Sequence, residues 1–559
     1  TTTSTAGEAK GTAGAPVHHR HTPLLPVDVV PSCTPSRHFD RSSYPSSFST
    51  AAMAPLKFDS QFESGNLLWS RMIGHSTTAG LGRTSRGKKK GGGGGGSGGG
   101  GERGSRTKNP PPIAQLQEYD LVLQHDLFTN GNVQWFYFRC GGTRRGLTVR
   151  FNLINMKKSG SLFGDGGMQP CVYSQINAKR KGIGWLRSCA DVEYYQNYQN
   201  SRLSHNEYQR KQSTLSFIHQ FEHDDDCVFF AMCHPYTYTD QQEDIAAIRN
   251  DPARCKHCVF QSLCTTIAEN RVDLLTITSR KAAPPLSSSS SSSNGSVVDR
   301  MREAHRRRAP KRAIILSSRV HPGETNSSWM MRGVLDFLTG NTMEAQGLRE
   351  SFVFKVIPML NPDGVIVGNY RCNLAGVDLN RTWDTPSRKL NPTIFYLKQM
   401  IRRFMDDREL ILFCDLHGHS RKMNVFMYGC ENKKTWSLRL RERVFPRMLW
   451  RNANVFSFSD CTFKVSKQKE NAGRVVVWRE LGLTNSYTME ASFCGADFGR
   501  FANLHFSVAE FEEMGHYFCD TILDYCDPDQ SKVASTLREL QTLNPTSGGP
   551  SVAVSRGKL

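Results

Sequence analysis

The chain has 559 residues, and 71 Lys and Arg against 51 Asp and Glu leave a formal charge of +20. That length accommodates two or three domains with sizeable cores, while no apolar run approaches the roughly 18 residues of a membrane-spanning helix. The 16 Cys are scattered rather than spaced as a framework, which predicts reduced thiols in a soluble, cytosolic protein. No apolar stretch of a secretory signal opens the sequence, and it starts at Thr1 rather than Met, as a fragment or a processed form would.

Residues 1–54 carry little periodic apolar pattern and predict a disordered leader. Phe58 to Leu67 is expected to be folded, so the basic run Arg86–Lys90, the Gly tract Gly91–Gly101 and Pro110–Pro112 form an insertion, about 75–112, inside a domain. From Tyr119 to Cys233 short strands alternate with Gly and Asn turns. Leu121 and Leu123, Val133–Phe138, Leu147–Leu153 and Val228–Met232 are the clearest. They predict an antiparallel β-sandwich over 55–234.

After Pro235–Thr239 strands alternate with helices, the mark of an α/β domain with a mixed sheet, expected over 235–530. Leu274–Thr278 and Arg312–Ser318 are strands, with the Ser287–Ser293 tract and Arg306–Arg308 between them as an expanded hairpin loop, about 282–310. Ser327–Thr339 is an amphipathic helix stopped by Gly340. Phe352–Leu360 and Leu410–Leu416 are continuous apolar runs, as buried central strands are. Ser507-x-x-Glu510 is a capping box opening a helix to about Cys526, and 531–559 is expected as a flexible tail.

His321-Pro322-Gly323-Glu324 follows directly on the strand Arg312–Ser318. A His and a carboxylate three residues apart can face one point from a tight loop, and His417 stands where the strand Leu410–Leu416 ends. Two His and one Glu are a ligand set for catalytic zinc with a position left open for water. The ends of parallel strands are where α/β sheets place their sites. Glu490, inside Ser486–Ser492, is a lone carboxylate among apolar neighbours.

These segments, together with Asn361-Pro362-Asp363-Gly364, Asn369–Arg371 and Gly376–Arg381, resemble the zinc carboxypeptidase superfamily. More narrowly they are similar to the cytosolic carboxypeptidases, with wording nearest the second and third vertebrate members. Phe58–Leu67, Gln134–Phe138 and Pro235–Thr239 resemble that family's extra β-sandwich domain. The resemblance implies one zinc ion held by His321, Glu324 and His417. It implies that Asn380 and Arg381 clamp a terminal carboxylate, for which planar Arg is suited. It also implies that Arg371 stabilises the oxyanion and that Glu490 is the general base which later returns its proton to the leaving amine.

Aligning the side-chain pocket loop of pancreatic-type relatives to Glu470–Arg474 puts Arg474 at the pocket floor, selecting Glu or Asp. Two departures stand out. Lys467 occupies the place of a lid Tyr, and Asn471 and Ala472 replace the Gly and Thr usual in the cytosolic family. The expected reaction is removal of C-terminal or side-chain glutamates from acidic protein tails, with tubulin as the favoured substrate. The rivals are an idle binder of microtubules or acidic partners and a small N-acyl amino acid deacylase.

Other signals weigh less. His419 is expected to turn away from the metal, and Cys255–Cys258 with Cys264 is half a zinc knuckle with no second half. The basic runs lack a nucleic-acid reading module, so neither nucleic acid nor a membrane is expected as a partner. A monomer is expected, in the cytoplasm, at the cytoskeleton, cilium or basal body.

Overall fold

A computed structural model describes residues 54–78, 114–200, 202–203, 207–279, 296–306, 310–433 and 435–544. The remainder of the expected leader, both insertions and the tail lies outside the described residues.

The N-terminal unit is a sandwich of two five-stranded sheets. One runs, in spatial order, β1 (Lys57–Asp59), β4 (Tyr137–Gly141), β10 (Val228–Ala231), β6 (Cys171–Ser174) and β7 (Leu186–Arg187). The other runs β2 (Trp69–Thr78), β3 (Ala114–Val122), β5 (Thr148–Met156), β9 (Ser213–Gln220) and β8 (Ala190–Gln196). Alternation explains the core: Tyr119, Leu121, Val149, Phe151 and Leu153 face Phe136, Phe138 and Phe230 with almost no exposure. One pair departs from an all-antiparallel sandwich, since β3 and β5 are parallel. β2 and β3 pair from Trp69↔Val122 to Thr78↔Ala114, so β2 runs past residue 75, where the insertion was expected to begin.

The C-terminal unit has a seven-stranded mixed sheet in the order β11 (Cys258–Thr265), β12 (Arg271–Ile277), β14 (Phe352–Ile357), β13 (Arg312–Ser318), β15 (Leu410–His419), β17 (Ser486–Ser492) and β16 (Val425–Tyr428). The central four, β14 to β17 through β13 and β15, are parallel, and the outer pairs are antiparallel. Ile314 and Leu316 pack on one face with Met330 and Val334 of the helix Thr325–Thr339 and Phe511, Met514 and Phe518 of the helix Val508–Cys526. Ala313 and Ile315 face the other way, onto Ile394, Leu397 and Ile401 of the helix Pro392–Met405 and Val476 and Val477 of the helix Gly473–Leu481. Burial on both faces is why these strands read as continuous apolar runs. The capping box at Ser507 and Glu510 opens the helix Val508–Cys526 as expected.

Two expectations are corrected. β12 and β13 are not a hairpin, because β14 lies between them and the other partner of β12 is β11, whose Cys258 and Cys264 are strand residues. The connection also carries a helix, Val297–Arg306, pinned by Arg300 to Asp527 and by Arg302 to Glu350. Residues 531–543 are not a flexible tail but the helix Ser531–Leu543, whose Leu540 packs with Leu440, Val444 and Met448. Among the described residues no helix is long and apolar enough to cross a membrane.

Candidate active site

The site forms at the C-terminal ends of β13, β15 and β17. β13 ends at Ser318, and Arg319 then takes a left-handed φ of 56° that turns the chain into His321–Glu324. A buried arginine in that conformation is strained and persists only where its surroundings enforce it. Its Nε donates to the Pro322 carbonyl at 2.7 Å and its guanidinium to Ser328 Oγ at 2.9 Å, lacing the loop shut. Gly323 is required by close approach: a Cβ there would lie 2.7 Å from the Tyr370 ring and 3.0 Å from its carbonyl oxygen. Glu324 takes the N-cap position of the helix Thr325–Thr339, yet its carboxylate does not cap; it turns to the histidines.

His321, Glu324 and His417 are buried and bring one ligand atom each within 4.8 Å of one another. Among the described residues they are the one such group. Nδ1 of His321 lies 2.8 Å from Glu324 Oε1, and Nδ1 of His417 lies 3.0 Å from Glu324 Oε2. The opposite nitrogens face other carboxylates. Nε2 of His321 is 3.1 Å from Asp378 Oδ1, and Nε2 of His417 is 2.7 Å from Asp415 Oδ2. A carboxylate behind each ring holds the proton on Nε2 and leaves the Nδ1 lone pair for a metal. Two neutral imidazole nitrogens and a carboxylate suit Zn²⁺, so the residues present fit that ion.

The buried charges of the group answer one another. Burial alone would raise the Glu324 carboxyl, but the two imidazoles hold it well below the usual carboxylate range. Burial likewise opposes charge on His417, and Asp415 with Glu324 overcomes it and raises the imidazole. Asp378 is pushed up by burial and pulled far down by His321 and Arg371. Gly418 N–H adds a donor to Glu324 Oε2 at 3.0 Å; a Cβ at Gly418 would lie 2.2 Å from Asn326 Oδ1.

Glu490 stands directly across from His417 in the parallel β15–β17 register. Burial, the largest influence, pushes its carboxyl up to about 7, against the opposing pull of His417. Among the described residues its carboxylate makes no hydrogen bond or ion pair. A half-buried carboxylate beside a metal group, raised toward neutrality, has the chemistry a general base needs.

Arg371 donates from Nε to Asp378 Oδ2 at 2.7 Å, so one carboxylate orients both His321 and Arg371. Asn380 is buried between the metal group and the expected pocket loop; its Nδ2 is 3.5 Å from His417 Nε2 and its Oδ1 accepts from Gly473 N–H at 2.9 Å. Arg381 reaches the Asn380 carbonyl at 2.7 Å. Arg474 is buried at the start of the helix Gly473–Leu481, with its guanidinium 5.3 Å from the centre of the Tyr428 ring. Burial lowers the guanidinium, and Cys430 and Glu490 work against that.

Residues 250–503 match the family model described as zinc carboxypeptidase. Over 428 residues the chain is 47% identical to cytosolic carboxypeptidase 3 of Bos taurus, covering 76% of this chain and 40% of that one. Residues 250–503 are a zinc carboxypeptidase domain. The chain is also 47% identical over 429 residues to human cytosolic carboxypeptidase 2, covering 76% of this chain and 44% of the relative. It thus spans less than half the length of both relatives. A metallo-carboxypeptidase from Burkholderia cenocepacia shares the fold at a TM-score of 0.59 and 18% identity, covering 85% of this chain and 99% of that one.

The structure places His321, Glu324, His417, Glu490, Arg371, Asn380, Arg381 and Arg474 around one site in this zinc carboxypeptidase domain, and it adds three residues. Asp378 lay inside the quoted Gly376–Arg381 segment without a role. Asp415, two residues before His417, was readable as a strand neighbour on the same face. Lys469 is the third: burial, then Arg381 and Arg371, lower its half-buried ammonium, and Glu490 pulls the other way. It stands two residues from the exposed Lys467, in the turn Lys467–Lys469. His417 sits inside β15 rather than past its end, because the strand continues to His419. His419, the last residue of that strand, is not part of the ligand group. Its Nδ1 accepts from Lys422 N–H at 3.0 Å and Arg421 N–H at 3.3 Å, which makes it an anchor of the turn that follows.

Proposed function

We propose that this protein is a zinc-dependent carboxypeptidase that removes glutamate from acidic protein tails. The observation that carries the reading is a set of neighbouring cations beside the metal group and Glu490 that lack ion-pair partners among the described residues. Among the described residues Arg381, Lys469 and Arg474 meet no carboxylate at ion-pairing distance, although all three are buried or half-buried. Holding three cations in this way is costly unless the ligand brings the anions.

In this reading Arg381 and Asn380 hold the terminal carboxylate, and Arg474 receives the carboxylate of the terminal side chain. Lys469 answers a further acidic group of the tail. Zinc, when bound, supplies a Lewis acid that acidifies water and polarises the scissile carbonyl. Glu490 accepts the proton of the attacking water and delivers it to the departing amine, a task its near-neutral position suits in both directions. Arg371, fixed by Asp378, stabilises the negative charge that develops on the carbonyl oxygen. All the groups an idle binder would have lost are present.

Acidic-tailed or polyglutamylated proteins, tubulin among them, fit this site, with the cytoplasm and the cytoskeleton, cilium or basal body as the place of action and a monomer as the acting form. The test is release of free amino acid from a peptide ending in several Glu and from a Leu-ending control, with and without a zinc chelator. Chelator-sensitive release from the Glu peptide is expected. Equal release from the Leu peptide overturns the acidic pocket, and no release from either overturns the hydrolytic reading.

A further inference from the structure

The segment that carries Arg371 is held from the sandwich, not from the catalytic unit alone. Asp126 is 1% exposed and lies in the turn that follows β3. Its Oδ1 accepts from Tyr370 N–H at 2.6 Å, and its Oδ2 accepts from Arg371 N–H and Cys372 N–H at 2.7 Å each. Three consecutive amides on one carboxylate fix the backbone of Arg371 on both sides. Among the described residues no cation pairs with that carboxylate, so its acceptor capacity is spent on these amides. Burial raises the Asp126 carboxyl, and the three amides pull it back.

The turn that carries Asp126 is itself braced. Asp126 N–H donates to the Asn132 carbonyl at 2.9 Å, and Asn132 Nδ2 reaches Cys372 Sγ at 3.1 Å. Lys158, also of the sandwich, bonds to the Tyr370 hydroxyl. Tyr370 in turn accepts from Gly323 N–H at 2.8 Å, inside the His321–Glu324 loop. Beyond the backbone the Arg371 side chain ends on Asp378, which ends on His321. An unbroken line of hydrogen bonds thus runs from the sandwich to the metal group.

We propose that Asp126 is a positioning residue for Arg371, and that the sandwich thereby supplies the support on which transition-state stabilisation depends. The proposal rests on the carboxypeptidase reading for its kinetic consequence, but not for its structural one. Asp126→Asn replaces one acceptor oxygen with a donor facing amide donors, so at least one of the three amides loses its partner. In the full-length, zinc-loaded protein, hydrogen exchange at Tyr370, Arg371 and Cys372 is expected to accelerate at least about tenfold. On a Glu-ending peptide kcat is expected to fall roughly 10- to 100-fold with KM little changed. In an Arg371→Ala background the same substitution is expected to cost almost nothing further, because both act through one group.

Asp126→Glu, which keeps the charge and moves it by one methylene, carries the same measurements if the Asn variant does not fold. Unchanged amide exchange overturns the proposal. So does an equal loss of kcat with and without Arg371, which would mark a general structural role. Should the wild type release no amino acid, the carboxypeptidase reading fails, and the exchange measurement decides whether Asp126 holds the segment.

Discussion

His417 and Glu490 are register partners across the parallel β15–β17 pair, so the group that would hold the metal and the candidate base project from neighbouring strands at one level of the sheet. Their neighbours in the register, Leu416↔Met489 and Gly418↔Ala491, are buried and apolar or lack a side chain. The packing that locks the register therefore also sets the distance between ligand and base.

That relationship makes Glu490→Gln the sharpest substitution. It keeps the shape of the side chain and removes its ability to accept a proton. Turnover is expected to fall about 10³-fold. Zinc content, measured by elemental analysis of the purified protein, should stay near one per chain because Glu490 is not a ligand. Near-normal turnover would remove the base assignment.

Asp415→Ala tests the carboxylate behind His417. The imidazole loses the partner that holds its proton on Nε2, and Asn380 Nδ2 at 3.5 Å is a donor that cannot replace it. Zinc affinity is expected to fall about 10- to 100-fold in a competition titration with a chromophoric chelator. Unchanged affinity would mean that packing alone orients the ring.

Arg474→Ala is expected to weaken discrimination of Glu from Leu at the peptide terminus by about 2–5 kcal/mol, the cost of leaving a desolvated substrate carboxylate without its partner. The measurement is the ratio of kcat/KM for the two peptides. An unchanged ratio would move the specificity to Lys469.

His234 makes stability fall in mild acid. It is 7% exposed, its Nδ1 has no hydrogen-bond partner among the described residues, and burial with the nearby Arg187 and His505 lowers its pKa to about 3. The unfolded chain binds this proton below about pH 6.5 and the folded protein does not. The stabilising contribution is therefore present above pH 6.5 and is lost progressively toward pH 3. At pH 5 the loss from this residue is about 2 kcal/mol. Denaturant titrations at pH 7 and pH 5 should differ by less in His234→Gln than in the wild type. An equal difference would assign the acid sensitivity to other groups.

The legible features were those with a local signature. β13, β14 and β15 announce themselves because burial on both faces demands unbroken apolar runs, and the helix Val508–Cys526 because its cap is a fixed spacing of Ser and Glu. His321 and Glu324 are legible because three residues of tight loop suffice to bring them together. The helix Ser531–Leu543 was missed although Val533, Leu537 and Leu540 share its buried side. Short apolar spacing after a domain's last expected element looks like a tail when its docking surface is unknown. The partnership of β11 with β12 was missed for a related reason: an edge strand with exposed alternate residues reads as loop.

By itself the sequence determined which chemical groups are available: two imidazoles, a carboxylate three residues from one of them, a second carboxylate in a strand, and an excess of guanidinium and ammonium groups. Only the tertiary structure decided how those groups are held. Asp378 reaches His321 across 57 positions, and Asp126 reaches Arg371 across 245. A hydrogen bond between groups so distant in the chain leaves no periodicity or spacing to read. It exists because folding closes the intervening loops and buries both partners where water no longer competes for them.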